Sequence, residues 1–340
     1  MSFTLEGEDS ELSTLSFFST LTITANTNKE KSLFSLDLRR SEAFPSRRFE
    51  THNYRFHPWD AFIACPVPQA AAHLQLVLGE CLGEGRTGKV YSAHVLGPLP
   101  SLPSSIPSEL VVKFAKLNHC RNLAREAWVY NFLDRQPKYE PVGTIVPRCY
   151  GFFTAKLADC DLDLDLDPLA EDELPWSIPE WEEYPEQDDT LIDDNDDEFI
   201  EPSEWALEEW ITKDRSKWNT WEPDPEDPLV AVLLLEKGGE MYNEVDDKDP
   251  LVKEDIELVL WDLVHAGVIH NDFRMANIVR APTTAKFCRR HERVHQWSII
   301  DFNRACVVDL SRERLPSALK LMHSFIGYQE MYFYGWNPND

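Results

Sequence analysis

The chain has 340 residues, 43% of them hydrophobic, and a formal charge of −27, enough apolar content for about two domains. So acidic a chain is a poor partner for nucleic acid or an anionic membrane, and no apolar run reaches the length of a membrane span. Its seven cysteines (Cys65, Cys81, Cys120, Cys149, Cys160, Cys288 and Cys306) follow no disulfide spacing, and the start MSFTLEGEDSELS is too acidic for a signal or transit peptide. A soluble protein of a reducing intracellular compartment, cytoplasmic or nuclear, is expected.

Residues 1–72 read as an arm. LSTLSFFSTLTITAN has the β-branched and aromatic content of one or two strands, and SLDLRRSEAFPSRRFETHNYRFHPWD looks irregular, so the arm is expected to pack on the outside of the next domain. From His73 the pattern sharpens. HLQLVLGECLGEGRTGKVYSAHV alternates apolar and polar residues on both sides of Gly83, Gly85 and Gly88, as a strand, a glycine loop and a second strand would. Glycines at such a turn let backbone N–H groups approach phosphate oxygens with no Cβ in the way. A dinucleotide-binding GxGxxG should open a helix, whereas VYSAHV is strand-like, so that reading is set aside.

After a Pro/Ser-rich connection, ELVVKFAK forms a strand bearing Lys113, and NLAREAWVYNFL has helical spacing. Leu123, Ala127, Tyr130 and Leu133 share one face of that helix, with Glu126 beside it. VGTIVPRCYGFFTAKL and LVAVLLLEKGGEMY read as two further strands, the second ending at Glu236 and Lys237. Between them, residues 156–228 hold 28 acidic and 4 basic residues, so −24 of the −27 sits in this insert. That composition predicts a solvated segment. Its six tryptophans (Trp176, Trp181, Trp205, Trp210, Trp218 and Trp221) instead predict that part of it, around SEWALEEWITKDRSKWNTW, docks on this chain or on a protein partner.

DPLVKEDIELVLWDLVH predicts an amphipathic helix started by Asp249-Pro250, with Ile256, Val259, Leu260, Leu263 and Val264 on one face. It runs into GVIHNDFRMANIVR, and SIIDFNRA comes after a basic loop. Each apolar run ends in a carboxylate, Asp272 and Asp301, and Asn277 follows Asp272 by five residues. One carboxylate to orient a hydroxyl and take its proton, beside a second carboxylate and an amide as hard oxygen ligands, suits a metal–phosphate site. In the basic loop, Cys288, His291 and His295 have metal-ligand spacing, but a structural zinc site takes four ligands and only three are local. Lys286, Arg289, Arg290 and Arg293 are expected to face the acidic insert.

At these residues the chain resembles the protein-kinase superfamily, as an atypical or truncated, fungal-type member. His270-Asn271-Asp272 with Asn277 is similar to the HRDxxxxN loop, Asp301-Phe302-Asn303 stands where that family carries DFG, and Gly83 to Gly88 with Val90 resembles its glycine-rich loop. The resemblance spans about residues 75–325 without the insert. It implies an α+β, two-lobed protein-kinase-like fold with a reduced C-lobe and a long acidic insert. The expected boundaries are an arm at 1–72, an N-lobe at 73–237 interrupted by 156–228, and the C-lobe at 238–340.

The same resemblance implies ATP and Mg²⁺. Leu82, Gly83, Gly85, Gly88 and Val90 would cover the nucleotide, Lys113 clamped by Glu126 would hold its phosphates, and Glu236 and Lys237 would line the adenine edge. Asp272 would be the catalytic base, Arg274 would touch the transferred phosphate, and Asn277 and Asp301 would bind the metal. Asn303 replaces the glycine of DFG, a position where Asn can adopt the left-handed conformation, and no APE motif comes after it; RLPSALKLMHSFIG is expected as one last helix. Three functions fit: an atypical Ser/Thr protein kinase, favoured by Arg274 and the complete glycine loop; a small-molecule kinase of choline or aminoglycoside type, favoured by His270-Asn271-Asp272; and a nucleotide-binding scaffold that holds a partner through the insert.

Overall fold

The computed structural model describes residues 15, 17–26, 33–44, 48–50, 55–57, 72–97, 106–136, 140–160, 218, 221–270 and 272–308. Its largest unit is a closed barrel of seven strands: β1 (Phe18–Asn26), β2 (Leu33–Arg40), β5 (Ala72–Glu84), β6 (Gly88–Val95), β7 (Glu109–Ala115), β8 (Cys149–Lys156) and β9 (Leu229–Glu236). Around the barrel the order is β1-β2-β8-β9-β7-β6-β5, antiparallel throughout except where β1 runs parallel to β5.

Strand alternation fills the interior. Leu21 and Ile23, Leu36 and Leu38, Leu74 and Leu76, Leu110, Val112 and Phe114, and Val230, Val232 and Leu234 all point inward and are buried in one apolar cluster. The alternate residues of β7 and β9 then face outward. There α1 (Cys120–Asp134) covers them, packing Leu123, Ala127, Tyr130 and Leu133 over Ala231, Leu233 and Leu235. Lys113 lies in the outward set of β7, so it is aimed at the helix.

α2 (Pro250–His265) starts as its sequence predicts: the Asp249 side chain accepts from the Leu251 N–H at 2.9 Å, and Pro250 occupies the first turn. It ends at Gly267, whose φ of +82° is left-handed and favours glycine. The chain continues as short pairs: β10 (Val268–Ile269) with β15 (Cys306–Val307), β11 (Ile278–Arg280) with β14 (Trp297–Ile299), and β12 (Phe287–Cys288) with β13 (Arg293–Val294). β3 (Arg48–Glu50) and β4 (Arg55–His57) extend the sheet of β10 and β15.

This architecture overturns the expected two-lobed α+β kinase-like fold with a reduced C-lobe. The regular secondary structure among the described residues is mostly strand, with only two α-helices, and its main sheet is a closed barrel rather than an open one. The cause lies in the first forty residues. β1 and β2 alternate apolar and polar residues like the strands they join, and they hydrogen-bond to β5 and β8, which removes both free edges. The expected helix RLPSALKLMHSFIG lies outside the described residues, as does the insert except for residues 156–160, 218 and 221–228.

Trp218 belongs to that insert and is fully buried. It packs against Phe152 and Trp221 at ring-centroid distances of 5.7 and 5.6 Å, and its indole N–H donates to the Glu42 carbonyl at 2.9 Å. Arg121 on α1 lies over the Trp221 ring and donates to its carbonyl oxygen.

Candidate nucleotide site

Two elements that are far apart in sequence meet at Lys113. Its Nζ donates to Glu126 Oε2 on α1 at 2.6 Å and to Asp301 Oδ1 at 2.7 Å, the latter 188 residues away. Burial alone would drive the ammonium toward its neutral form, but Asp301 and Glu126 more than offset it, so Lys113 is held charged above its ordinary pKa. Burial likewise raises the Glu126 carboxyl to about 7, opposed by Lys113 and assisted by Asp301. For Asp301, Lys113 outweighs burial and the carboxyl is lowered, so this group stays ionised.

Asp301 itself has a φ of +65°. Asp tolerates that left-handed conformation better than most side-chain-bearing residues, and strain of this kind is concentrated at functional positions. Asn303, where the left-handed conformation is expected, is not among the positive-φ residues. Its Nδ2 instead lies 3.2 Å from Thr87 Oγ1, tying the loop after Asp301 to the glycine hairpin.

The second carboxylate is delivered by β10. Asp272 comes just after it, and Asn277 Nδ2 donates to the Asp272 carbonyl at 2.7 Å and lies 3.4 Å from its Oδ2. Arg274 Nη2 sits 3.3 Å from the same Oδ2, so Arg274 is ion-paired to Asp272. Asn277 then leads into β11, whose partner β14 ends just before Asp301, and the Ile300 N–H donates to the Asn277 carbonyl at 3.0 Å. His270 completes the tie. Its Nε2 lies 2.9 Å from the Ile300 carbonyl, so Nε2 carries the hydrogen, and burial lowers its pKa and keeps the ring neutral. The ring packs on Phe302 at 5.1 Å, and Phe302 meets Tyr130 of α1 edge-on at 5.3 Å.

The glycine hairpin joins β5 to β6 above this cluster. A Cβ on Gly83 or Gly85 would meet nothing within 4 Å, so the hairpin faces open space. At Gly88 a Cβ would collide with the Phe114 carbonyl oxygen, so only glycine allows β6 to lie this close to β7. Val90 is paired with Lys113 across those strands, and Leu82 is exposed on the hairpin.

Glu236 and Lys237 have other partners. The Glu236 carboxylate is buried against Arg148, whose Nη1 lies 2.9 and 3.1 Å from its two oxygens, and it accepts from the Thr284 hydroxyl; Lys237 Nζ pairs with Glu109 at 2.7 Å. No local signal in the sequence marks Arg148 or Thr87: Arg148 lies 88 residues from Glu236, and Asn303 lies 216 from Thr87. Of the basic loop, Arg290 reaches Asp262 at 3.0 Å and Arg293 reaches Asp255 at 3.8 Å, both on α2, and Arg289 reaches Glu140 at 3.9 Å.

Neither a protein family nor a curated protein matches the chain. Among solved structures, vaccinia related kinase 3 aligns with a TM-score of 0.33 and 12% identity, over 78% of this chain and 66% of that one. The chain therefore spans less than two thirds of that kinase's length.

Proposed function

We propose that the chain is an ATP-dependent phosphotransferase that moves the γ-phosphoryl group to a hydroxyl, acting as an atypical Ser/Thr protein kinase. The observation that carries this reading is Lys113 held between Glu126 and Asp301, with Asp272 and Asn277 joined to the same strand end through Ile300. A lysine fixed by two carboxylates is a rigid charge for a triphosphate, and nearby oxygen ligands suit a hard cation.

In this reading Lys113, braced by Glu126, binds the phosphates, and the hairpin from Gly83 to Gly88 covers them with backbone N–H groups. Asp272 orients the acceptor hydroxyl and takes its proton, and Arg274, already 3.3 Å from Asp272, supports the transferred group. The donor set fits Mg²⁺. Asp301 offers an ionised carboxylate, and the Asn277 amide, with its NH₂ turned to Asp272, offers its oxygen. When bound, Mg²⁺ supplies charge neutralisation at the phosphates.

The test is Mg²⁺-dependent ATP turnover by the purified chain beside Asp272→Ala and Asp301→Ala, with binding read as a thermal shift. Turnover that both substitutions abolish supports the reading. Phosphorylation of a choline or aminoglycoside panel with no protein acceptor would replace the Ser/Thr assignment by a small-molecule one. An ATP shift without turnover would leave a nucleotide-binding scaffold, and no shift would remove the site.

A further inference from the structure

The β12–β13 hairpin converges on α2 through four potential ligands. Cys288 Sγ lies 3.4 Å from Asp262 Oδ2 and 3.7 Å from His291 Nδ1. His291 Nδ1 lies 3.2 Å from both His295 Nε2 and Asp262 Oδ2, and His295 Nε2 lies 3.9 Å from that oxygen. All four ligand atoms fall within 4.8 Å of one another. Zinc bonds of roughly 2.0–2.3 Å place tetrahedral ligands about 3.3–3.6 Å apart, and the observed separations bracket that range. The sequence pattern Cys-x2-His-x3-His supplies three of these ligands. The fourth lies 26 residues before Cys288, on a helix whose apolar face is its only obvious periodicity.

We propose that Asp262, Cys288, His291 and His295 form a structural zinc site, separate from the nucleotide site and independent of the phosphotransferase reading. The surroundings are those of metal ligands. His295 Nδ1 lies 2.8 Å from Asp255 Oδ1, so the hydrogen sits on Nδ1 and the Nε2 lone pair is aimed at the centre. Asp255 is held in turn by the Gln296 N–H at 2.8 Å, and Arg290 lies 3.0 Å from the other Asp262 oxygen. Glu292, with a φ of +52°, closes the turn that brings Cys288 and His291 to one side.

The donors are a thiolate, two imidazoles and one carboxylate, a set suited to Zn²⁺ and unlike the all-oxygen shells of Mg²⁺ or Ca²⁺. With four protein ligands the shell is closed, so the ion has a structural role and no open catalytic position. Asp262, Cys288 and His295 are buried, and His291, partly exposed, stands on the side by which an ion would enter. The ion would fasten the hairpin to the last turn of α2, just before β10 carries the chain to Asp272.

Elemental analysis of the full purified chain after dialysis against a weak chelator should find about one zinc per chain. Cobalt exchanged into it should give the intense visible bands of tetrahedral coordination with a thiolate-to-cobalt charge-transfer band. Cys288→Ser should lose that band, and Asp301→Ala should retain both zinc and spectrum. Two results would overturn the proposal. One is wild-type protein, folded by circular dichroism, that holds less than about a tenth of a zinc per chain and takes up no cobalt, leaving a hydrogen-bonded cluster without metal. The other is an unchanged cobalt spectrum in Cys288→Ser. The wild-type measurement decides the matter even if the variant fails to fold.

Discussion

Two ionic clusters sit where the barrel meets the chain beyond β9, and they differ in charge. At one, Arg148 meets a single carboxylate, Glu236, and Thr284 adds a hydroxyl from the far side. That link is balanced and its donors are used. At the other, Lys113 stands between two carboxylates, Glu126 and Asp301, leaving one negative charge in excess once Glu126 ionises near pH 7, and Asp272 is tied to the same loop through Asn277 and Ile300. Buried excess charge is costly to maintain unless something completes it. The balanced link has the character of a strut, and in the proposed function the unbalanced one receives a cation and the anion that travels with it.

The largest effect that separates the two is expected from Lys113→Met. It leaves the buried Glu126 and the partly buried Asp301 without their cation, costing about 3–5 kcal/mol of stability by urea unfolding, and it lowers ATP turnover by about 10²-fold or more. Turnover equal to wild type in this variant would make Lys113 a strut like Arg148. Arg148→Met should cost a similar amount, about 3–5 kcal/mol, by stranding Glu236, but its unfolding midpoint should respond to Mg²⁺–ATP as wild type does.

A smaller effect distinguishes the links by pH. With a folded-state pKa of about 7 against an ordinary 4.5, Glu126 holds a proton in the folded protein that the unfolded chain gives up. Its contribution therefore weakens the fold as pH rises from about 4.5 to about 7, and Glu126→Gln should remove that slope from the thermal midpoint against pH. A slope that persists in the variant must come from other groups. The smallest change is expected at Lys156, whose pair with Asp227 is exposed; Lys156→Ala should leave the midpoint where it was.

The parts legible in the sequence are those set by short-range rules. α2 announces itself through Asp249-Pro250 and an apolar face, and alternation in ELVVKFA is enough to put Lys113 on the side opposite Val112 and Phe114. Helical spacing puts Glu126 within reach of that side. What stayed hidden depends on contacts across long separations. Nothing local in FSTLTITAN says that it pairs parallel with β5 and closes a barrel, and nothing at Arg148 points to Glu236. Asp262 is hidden differently: on an amphipathic helix an acid reads as part of the polar face, and only the hairpin folded against it reveals a ligand.

The closing of the barrel has a consequence for how the protein is made. β2 pairs with β8, and β8 with β9, which lies beyond the acidic insert, so the ring cannot be completed until residue 236 has left the ribosome. The long insert adds little to the entropy of that closure, because loop cost grows only with the logarithm of length. During synthesis, however, β1 and β2 wait with open backbone edges, and the β8 partner of β2 emerges only after more than a hundred further residues. Such edges invite pairing between nascent chains. The yield of folded protein should therefore depend on what shields the first forty residues while the rest is translated, and a truncation that removes them would leave β5 and β8 exposed in the finished molecule.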